Sequence, residues 1–405
     1  MIAVLFGTFN ARHSANALLA DDLRAAGCEL RLCHEPLWEE TRDKDAGYFG
    51  AASLARLGAR WAGAAARLTR RFRALAADAD VLVAGFNGQL DVLLLRRLAG
   101  ARPIVFAPLV TITETLVEDR RRYAAGSPAG RLAVWLDRAG MRAADLVVLD
   151  TAAHRDWVAH RLGVDPARTL VHYLGADPAF APGAEGATAR PEGPSARLRV
   201  LFYGQYVPLH GADVIARAAA LVGPGSGIEF DLVGTGPERA SCDRLVDGLP
   251  HVRRTDWVPF EDLPARIRAA DVVLGIFGRS EKARMVVPNK LYQSAQVGRP
   301  IVTADTPAIR EVFEPGASIA AVDPEPRALA DALVALAADP PRRAALGSAA
   351  RAAVARVAAP DVRAKRLGDA LAALVERRAR GGASQASLAA ARRAAASGRG
   401  SGERA

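Results

Sequence analysis

Cysteine and lysine are scarce in this chain of 405 residues, and each scarcity narrows the possible functions. The only cysteines are Cys28, Cys33 and Cys242, and none of them forms a CxxC pair. We therefore expect neither structural disulfides nor a zinc site, in keeping with a reducing compartment. Lysine occurs four times although Lys and Arg together number 54, so arginine supplies nearly all of the positive charge. In an alanine-rich chain, such usage indicates compositional bias more than a binding surface.

Long apolar runs are missing as well. The run at 146–149 has the length of a strand and is far shorter than the roughly 18 residues that cross a bilayer. The chain starts with a strand-like MIAVLFG and shows neither a basic leader nor a cleavage site, so export is not expected. A cytoplasmic location is predicted, either in solution or at the inner face of the membrane.

The formal charge of +10 raises the question of nucleic-acid binding. Much of this excess lies at 376–405, which holds seven arginines and two glutamates. The sequence contains no RNP-type or helix-turn-helix pattern. Nucleic acid is therefore not an expected partner.

Short apolar runs alternate with helical patterns from end to end, which is typical of parallel βαβ units. Strands are predicted at 2–6, 29–33, 81–84, 104–107, 146–149 and 169–172, and again at 198–203, 228–233, 251–258, 272–277, 301–304 and 319–322. Helices are predicted at 14–26, 89–98, 212–222, 238–247, 261–269, 290–297, 306–313, 326–357 and 361–380. The sequence thus predicts an α/β chain of two Rossmann-like, doubly wound domains whose strand carboxyl ends face a cleft.

Composition divides the chain further. The stretch 181–197 is crowded with Gly, Pro and Ala and predicts a linker between a first domain at 1–180 and a second at 198–360. The helix at 361–380 is expected to close the second domain and to cross back to the first. The remaining residues, 381–405, predict a disordered basic tail with at most a transient helix.

Two loops that follow strands of the second half carry paired glycines. In the first, Gly204 and Gly211 precede a helix whose first amides could bind an anion beside His210. A turn without a ligand explains the first loop equally simply, and it is the favoured explanation of the second, because a lone GxG is weak evidence. The second loop consists of Gly234, Thr235 and Gly236.

The stretch 278–293 collects positive charge at the start of a helix. Asn289 is predicted to cap that helix, which places Lys290 in its first turn. A cation is unfavourable there unless an anion lies nearby, and Lys282 and Arg284 add to the charge. A bound diphosphate would balance it, and a solvated basic loop is the alternative.

In order and spacing, these segments resemble the C-terminal domain of glycosyltransferase family 4, the retaining GT-B enzymes. The matching pieces are GQYVPLHGAD, FDLVGTGPE, DLPARIRAADVVL and VPNKLYQSAQVGRPIVTADTPAIRE, which cover nearly all of 198–315. In the first half, VLFGTFNARHSAN and CHEPLWE resemble one bacterial branch of that family. The resemblance implies GT-B architecture, with a nucleotide-sugar donor in the second domain and an acceptor in the first.

The resemblance also implies roles for single residues. The loop from Gly204 to Gly211 would face the donor diphosphate, while Val286 and Val287 would lead backbone amides toward it. Gln293 takes the place of a glutamate that holds the ribose hydroxyls, and as an amide it can still bind a diol. The nucleoside would lie near Gly234, Thr235, Gly236 and Val258.

The sequence departs from the family at charged positions. Gln205 and His210 stand where the first loop usually carries Arg and Lys. Met285 and Gln293 occupy the positions of the family's two usual glutamates, so no residue is an obvious replacement for the first glutamate. Our hypothesis is that three cations of the third segment act instead: Lys282, Arg284 and Lys290.

In the first domain, Gly7, Thr8 and Asn87 follow strands and are expected to reach the acceptor side of the cleft. Glu114 follows a further strand, and it either orients an acceptor hydroxyl or is a surface carboxylate at a helix start. His154 lies early in a later helix and is expected to be structural.

No metal and no other cofactor is expected. Asp78-Ala-Asp80 imitates a DxD metal motif, but it precedes a strand and so lies at the edge opposite the cleft. Charge on the leaving group would then be met by basic side chains and helix amides.

Residues 46–77 contain six arginines and no acid, with apolar side chains at helical spacing. The plain interpretation is an amphipathic helix with a packed apolar face and a solvated basic face. The alternative is peripheral docking to anionic lipid, which would suit a lipid-linked acceptor.

Together, these patterns predict a retaining, metal-independent glycosyltransferase that takes its sugar from a nucleotide sugar. A sugar, a lipid-linked molecule and a small molecule all stay open as the acceptor. Two other functions also stay open, a nucleotide-sugar epimerase and a degenerate protein that binds nucleotide without transfer. The candidate catalytic residues are His210, Lys290 and Glu114.

Overall fold

The computed structural model describes residues 1–38, 51–181 and 197–397, and the predicted linker lies almost entirely outside them. Within these ranges the chain forms two six-stranded parallel sheets with helices packed around them. The predicted α/β fold of two doubly wound sheets is confirmed.

The first domain places its strands in the order β2-β1-β3-β4-β5-β6. Its strands are β1 (Ile2–Gly7), β2 (Glu29–His34), β3 (Val81–Ala84), β4 (Ile104–Phe106), β5 (Leu146–Leu149) and β6 (Thr169–Val171). Its helices are α1 (Ser14–Ala25), α2 (Ala51–Leu75), α3 (Gln89–Leu98), α4 (Pro128–Ala143) and α5 (Ala152–Leu162), with a π-helical turn at Thr113–Asp119. The inner strands β3, β4 and β5 are buried throughout, as expected of parallel strands that are covered on both faces.

The second domain has the order β12-β11-β10-β7-β8-β9. Its strands are β7 (Leu198–Tyr203), β8 (Ile228–Val233), β9 (Val252–Thr255), β10 (Val272–Leu274), β11 (Ile301–Ala304) and β12 (Ala320–Val322). Its helices are α6 (Ala212–Val222), α7 (Arg239–Leu245), α8 (Leu263–Ala269), α9 (Glu281–Met285), α10 (Asn289–Val297), α11 (Pro307–Val312), α12 (Pro326–Ala338) and α13 (Pro340–Ala358), followed by α14 (Pro360–Ser397).

Each sheet has one point where the order of its strands reverses. In the first domain this point lies between β1 and β3, and in the second it lies between β7 and β10. Ligands of open parallel sheets bind outside the strand carboxyl ends at such a point, because neighbouring loops there turn away from each other and leave a crevice. Four of the loops that the sequence singled out follow β1, β3, β7 and β10, the strands at these two points.

Two helix predictions need correction. The stretch 326–357 is broken into α12 and α13 at Asp339, because Pro340 cannot donate to the preceding turn and disfavours helix at the residue before it. Asp339 instead caps α13 by accepting a hydrogen bond from the Arg342 amide at 2.9 Å. Helix α14 does not end at residue 380 but continues to Ser397 through an alanine-rich segment that favours helix. Residues 398–405 lie outside the described residues.

Helix α2 has the amphipathic pattern that the sequence indicates. Its apolar residues Leu68 and Phe72 are buried in the core of the first domain. Its six arginines are all exposed: Arg56, Arg60, Arg67, Arg70, Arg71 and Arg73. Among the residues that the structure describes, no helix has both the length and the apolar character needed to span a membrane.

Helix α14 crosses back onto the first domain, as predicted. Leu367, Leu371 and Leu374 join the core formed by α1 and the first sheet. Arg363 makes a two-pronged ion pair with Asp22, with N–O distances of 2.7 and 3.0 Å, and both side chains are buried. Burial raises the pKa of Asp22, but hydrogen bonds from His172 and Arg363 outweigh it and lower the pKa.

We expect Arg363→Met to destabilise the protein by about 3 kcal/mol, because it leaves the buried Asp22 carboxylate without its guanidinium. The matched control is Lys365→Met on the same helix, whose pair with Asp369 is exposed and should contribute under about 1 kcal/mol. Urea unfolding followed by circular dichroism measures both. Equal effects of the two substitutions would contradict this account.

Candidate active site

The strand ends of the two domains enclose a cavity of about 240 Å³. Asn87 and Gln89 line it from the first domain, while Gln205, His210 and Lys282 line it from the second. The predicted cleft therefore exists, and it lies at the reversal points of both sheets.

Two basic side chains converge on Gly204, the first residue after β7. A Cβ added to Gly204 would lie 3.0 Å from Lys290 Nζ and 2.8 Å from His210 Cε1. The Nδ1 atom of His210 contacts the carbonyl oxygen of Gln205. Because a carbonyl oxygen only accepts, Nδ1 carries a proton and the ring is held in one orientation. An amine and an oriented imidazole thus stand beside the same loop backbone.

Lys290 is almost fully buried. Its Nζ lies 4.2 Å from the centre of the Phe202 ring and 3.4 Å from the carbonyl oxygen of Gly275. Burial lowers the pKa of Lys290 to about 7, since the charged amine is poorly solvated there. An anion placed next to Nζ would favour the charged form and raise this pKa again.

The glycines of the two loops are required by the close packing of the backbone around them. Gly211 has φ +60°, and a Cβ there would lie 2.4 Å from the carbonyl carbon of Phe277. A Cβ on Gly234 would lie 1.8 Å from the carbonyl oxygen of Gly204, because the two loops pack back to back. Packing therefore accounts for these glycines without a ligand. All four residues predicted to lie near the nucleoside are outside the lining of this cavity: Gly234, Thr235, Gly236 and Val258.

Val286 and Val287 before α10 line the cavity, as does Asn289, the first residue of this helix. Lys290 lies in the first turn of α10, as predicted. The predicted cap at Asn289 is wrong, because the helix begins at Asn289 itself after Pro288. The Asn289 side chain instead donates to Ser14 Oγ of the first domain at 2.6 Å.

Four other predicted donor-side residues lie outside the lining of the cavity: Gly204, Arg284, Lys290 and Gln293. Arg284 is exposed on α9. Gln293 is buried, and its Oε1 accepts a hydrogen bond from the Tyr203 hydroxyl at 2.8 Å. Of the three cations in our hypothesis, Lys282 and Lys290 are close to the cleft, whereas Arg284 is directed elsewhere.

On the acceptor side, Asn87 lines the cavity in a left-handed conformation with φ +66°, which asparagine tolerates well. Gly7 and Thr8 lie deeper, against the buried Asp91. The Asp91 carboxylate accepts from the Thr8 amide at 2.7 Å and from Trp61 Nε1 at 2.9 Å. Burial raises the pKa of Asp91. The sequence analysis did not identify Asp91, which fixes the loop after β1.

Glu114 is fully buried, so the surface alternative for it is wrong. Its Oε2 lies 2.9 Å from His154 Nε2, and its Oε1 lies 3.6 Å from Lys282 Nζ of the second domain. Lys282 also donates to Thr115 Oγ1 at 2.7 Å. On its other side, His154 Nδ1 lies 2.7 Å from Asp150 Oδ1. These groups form one buried chain of charges that crosses from domain to domain.

The two carboxylates determine the protonation of His154. Burial lowers the pKa of His154, but Glu114 and Asp150 outweigh it and raise the pKa to about 10. Burial raises the pKa of Glu114, but His154 and Lys282 outweigh this effect, and the pKa of Glu114 is lowered. His154 is therefore an imidazolium clamped between two carboxylates, and the structural role expected for it agrees with this position.

Four charged or titratable residues that line the cavity were missed by the sequence analysis: His13, Asp119, Arg120 and Asp150. Asp150 directly follows β5 and His13 precedes α1, so their placement at strand carboxyl ends was a usable signal. Asp78 and Asp80 lie at the opposite edge, where Asp78 pairs with Arg31 and Asp80 accepts from the Ile2 amide. In the described ranges, no three His, Cys, Asp or Glu side chains are grouped as a metal site would need.

We predict that His154 remains charged at about pH 8. Because its folded pKa lies above the unfolded value, its stabilising contribution is complete below about pH 6.5 and is lost as the pH rises toward about 10. Imidazole NMR of histidine-labelled protein measures this, and His154→Gln assigns the signal. Glu114→Gln should lower the titration midpoint. A neutral His154 ring at about pH 8 in the wild-type protein would refute the clamp.

Known proteins resemble this chain in sequence and in fold. The sequence family described as glycosyl transferases group 1 matches residues 197–339. A D-inositol 3-phosphate glycosyltransferase from Kineococcus radiotolerans is 31% identical over 256 residues, which are 56% of this chain and 56% of that protein. The chain spans about half the length of the curated relatives it matches.

Solved structures share the two-domain fold. Sucrose-phosphate synthase from Thermosynechococcus elongatus superposes with a TM-score of 0.70 at 16% identity, covering 93% of this chain and 99% of that one. Anabaena HepE in complex with UDP and glucose gives 0.66 at 17% identity, covering 92% and 100%. The predicted GT-B architecture is confirmed. Residues 197–339 match the glycosyl transferases group 1 family, in agreement with the resemblance to glycosyltransferase family 4.

Proposed function

We propose that this protein is a retaining glycosyltransferase that moves a sugar from a nucleotide-sugar donor to an acceptor held by the first domain. The observation that carries the proposal is the convergence of Lys290 and His210 on Gly204, at the reversal point of a glycosyl transferase group 1 domain. A diphosphate there would meet an amine, an imidazole and loop amides together.

In the proposed reaction, the bond between the anomeric carbon and the diphosphate oxygen breaks, and the acceptor oxygen bonds to that carbon on the same face. The acceptor's proton passes to the departing diphosphate, which lies on that face. Lys290 and His210 stabilise the negative charge that develops on the leaving oxygen. Closure of the two domains over the substrates would exclude water, which would otherwise compete with the acceptor.

We further propose that the reaction needs no metal ion. Lys290, His210 and the first amides of α10 offer the positive charge that a metal would supply. The protein is proposed to work in the cytoplasm. Its three cysteines are free and buried, as suits a reducing compartment.

We predict that UDP, the nucleotide in HepE, raises the melting temperature of this protein, with or without a chelator. A ligand that binds only the folded state adds about 2.7 kcal/mol to the free energy of unfolding when its concentration is a hundred times its Kd. Lys290→Met should lower the affinity for UDP about tenfold or more, because the buried amine is lost without a change in packing. Arg284→Ala, on the exposed side of α9, is the control and should bind UDP normally.

Stabilisation by another nucleoside diphosphate would reassign the donor nucleotide and leave the transferase proposal in place. If folded protein responds to none of UDP, GDP, ADP, TDP and CDP, the proposal fails. Product analysis without acceptor then separates the remaining functions. An epimerase converts the donor alone, whereas a degenerate binding protein leaves it intact.

The pH dependence of UDP binding provides a second prediction. With a pKa of about 7, Lys290 is mostly neutral above that pH, so binding the diphosphate must take up a proton. The affinity should therefore fall with rising pH above about 7, by up to about tenfold per pH unit. Calorimetry in buffers of different ionisation enthalpy measures the proton uptake. Lys290→Met should abolish it, and an uptake that survives in this variant would assign the proton to another group.

A further inference from the structure

A second cavity of about 220 Å³ lies inside the first domain, and its walls are mainly apolar. Leu57 and Trp61 of α2 form one side, and Leu132 and Leu136 of α4 form another. Trp38 adds a second indole. Such a surface favours a hydrocarbon group, because each buried methylene is worth about 0.8 kcal/mol.

This apolar cavity adjoins the donor cavity. Four residues line both of them: Asn87, Gln89, Ile112 and Leu116. The two amide side chains at this junction are hydrogen-bonding groups, and Thr8 lies on the wall of the apolar cavity as well. A molecule in the apolar cavity would therefore present its polar end to the place where the sugar is transferred.

The outer end of the apolar cavity has features of a membrane-facing surface. Leu90 and Leu132 line the cavity and are still 40% and 54% exposed. Trp135, one helical turn beyond Leu132 on α4, is 58% exposed. Helix α2, which walls the same cavity, carries six exposed arginines. Exposed Leu and Trp beside a basic helix face match an interfacial surface that contacts anionic lipid.

We propose that the acceptor is an anionic membrane lipid whose hydrocarbon chain occupies the apolar cavity and whose head group reaches Asn87 and Gln89. This inference rests on the proposed function and names its acceptor class. The arginines of α2 draw the protein to the lipid surface, while the cavity selects a chain-bearing molecule. A sugar without an apolar group would not cover the apolar surface of the Leu and Trp walls.

The chain offers a matched pair of variants for a test. Gly58 lines the apolar cavity, and a Cβ added there meets no atom within 4 Å. Gly58→Phe should therefore fill the cavity without straining α2. Gly63 lies on the same helix, where a Cβ meets only Arg67 at 3.6 Å, and it is exposed. Gly63→Phe makes the same substitution away from the cavity.

The probe is bromodecyl phosphate, because bromine quenches tryptophan fluorescence on contact and Trp38 and Trp61 both line the cavity. We expect saturable quenching in the wild type and in Gly63→Phe, with affinity about tenfold or more lower in Gly58→Phe. Equal affinity in both variants overturns the cavity assignment. Equal binding of uncharged bromodecanol by the wild type overturns the anionic lipid in favour of a small apolar acceptor.

Co-sedimentation tests the lipid surface. The protein should bind phosphatidylcholine vesicles that contain phosphatidylglycerol, and not phosphatidylcholine alone. Arg70→Ala combined with Arg73→Ala should weaken this binding, as should added salt. Absence of binding to the anionic vesicles at low salt overturns the proposal. UDP stabilisation should be the same in Gly58→Phe as in the wild type, so a failure of the acceptor assignment is distinguishable from a failure of the transferase proposal.

Discussion

A carboxylate without access to water, that of Glu114, constrains how the two domains meet. Burying such a charge is costly unless opposite charge and hydrogen bonds compensate it. Thr111 donates from the same loop at 3.0 Å and His154 approaches from α5. The remaining partner, Lys282, belongs to the second domain. Glu114 therefore gains its second cationic neighbour only when the second domain is docked.

The same contact bears on the cavity. Lys282 and Asp150 both belong to the charge chain and both line the cavity wall. A separation of the domains would break the Lys282–Glu114 contact and open that wall in one step. At the far end of the first domain, Arg363 of α14 holds Asp22 and keeps the two halves linked. Any opening of the domains would thus expose the buried contact between Lys282 and Glu114.

The sequence was sufficient for what depends on neighbours along the chain. Strand positions and the glycine loops follow from local patterns, and the reversal points then bring the right loops together. Contacts between distant segments could not be predicted in this way, since nothing local links Glu114 to Lys282 or Asn289 to Ser14. The break at Pro340 was a different case, because its signal was present in the sequence and was outweighed by a continuous helical pattern.

The departures from the family at its charged positions acquire a physical meaning from the position of Lys290. A guanidinium in the first loop would be charged whether or not a ligand is present, because its pKa is too high to respond. A buried amine with a pKa of about 7 is different, since it can stay neutral in the empty site and become charged beside an anion. In the proposed reaction, more negative charge would collect on the leaving oxygen as the sugar–phosphate bond breaks, and the charged amine would be favoured further. The stabilisation by Lys290 would therefore grow along the reaction coordinate, which is the condition for accelerating a reaction instead of only tightening the binding of the donor.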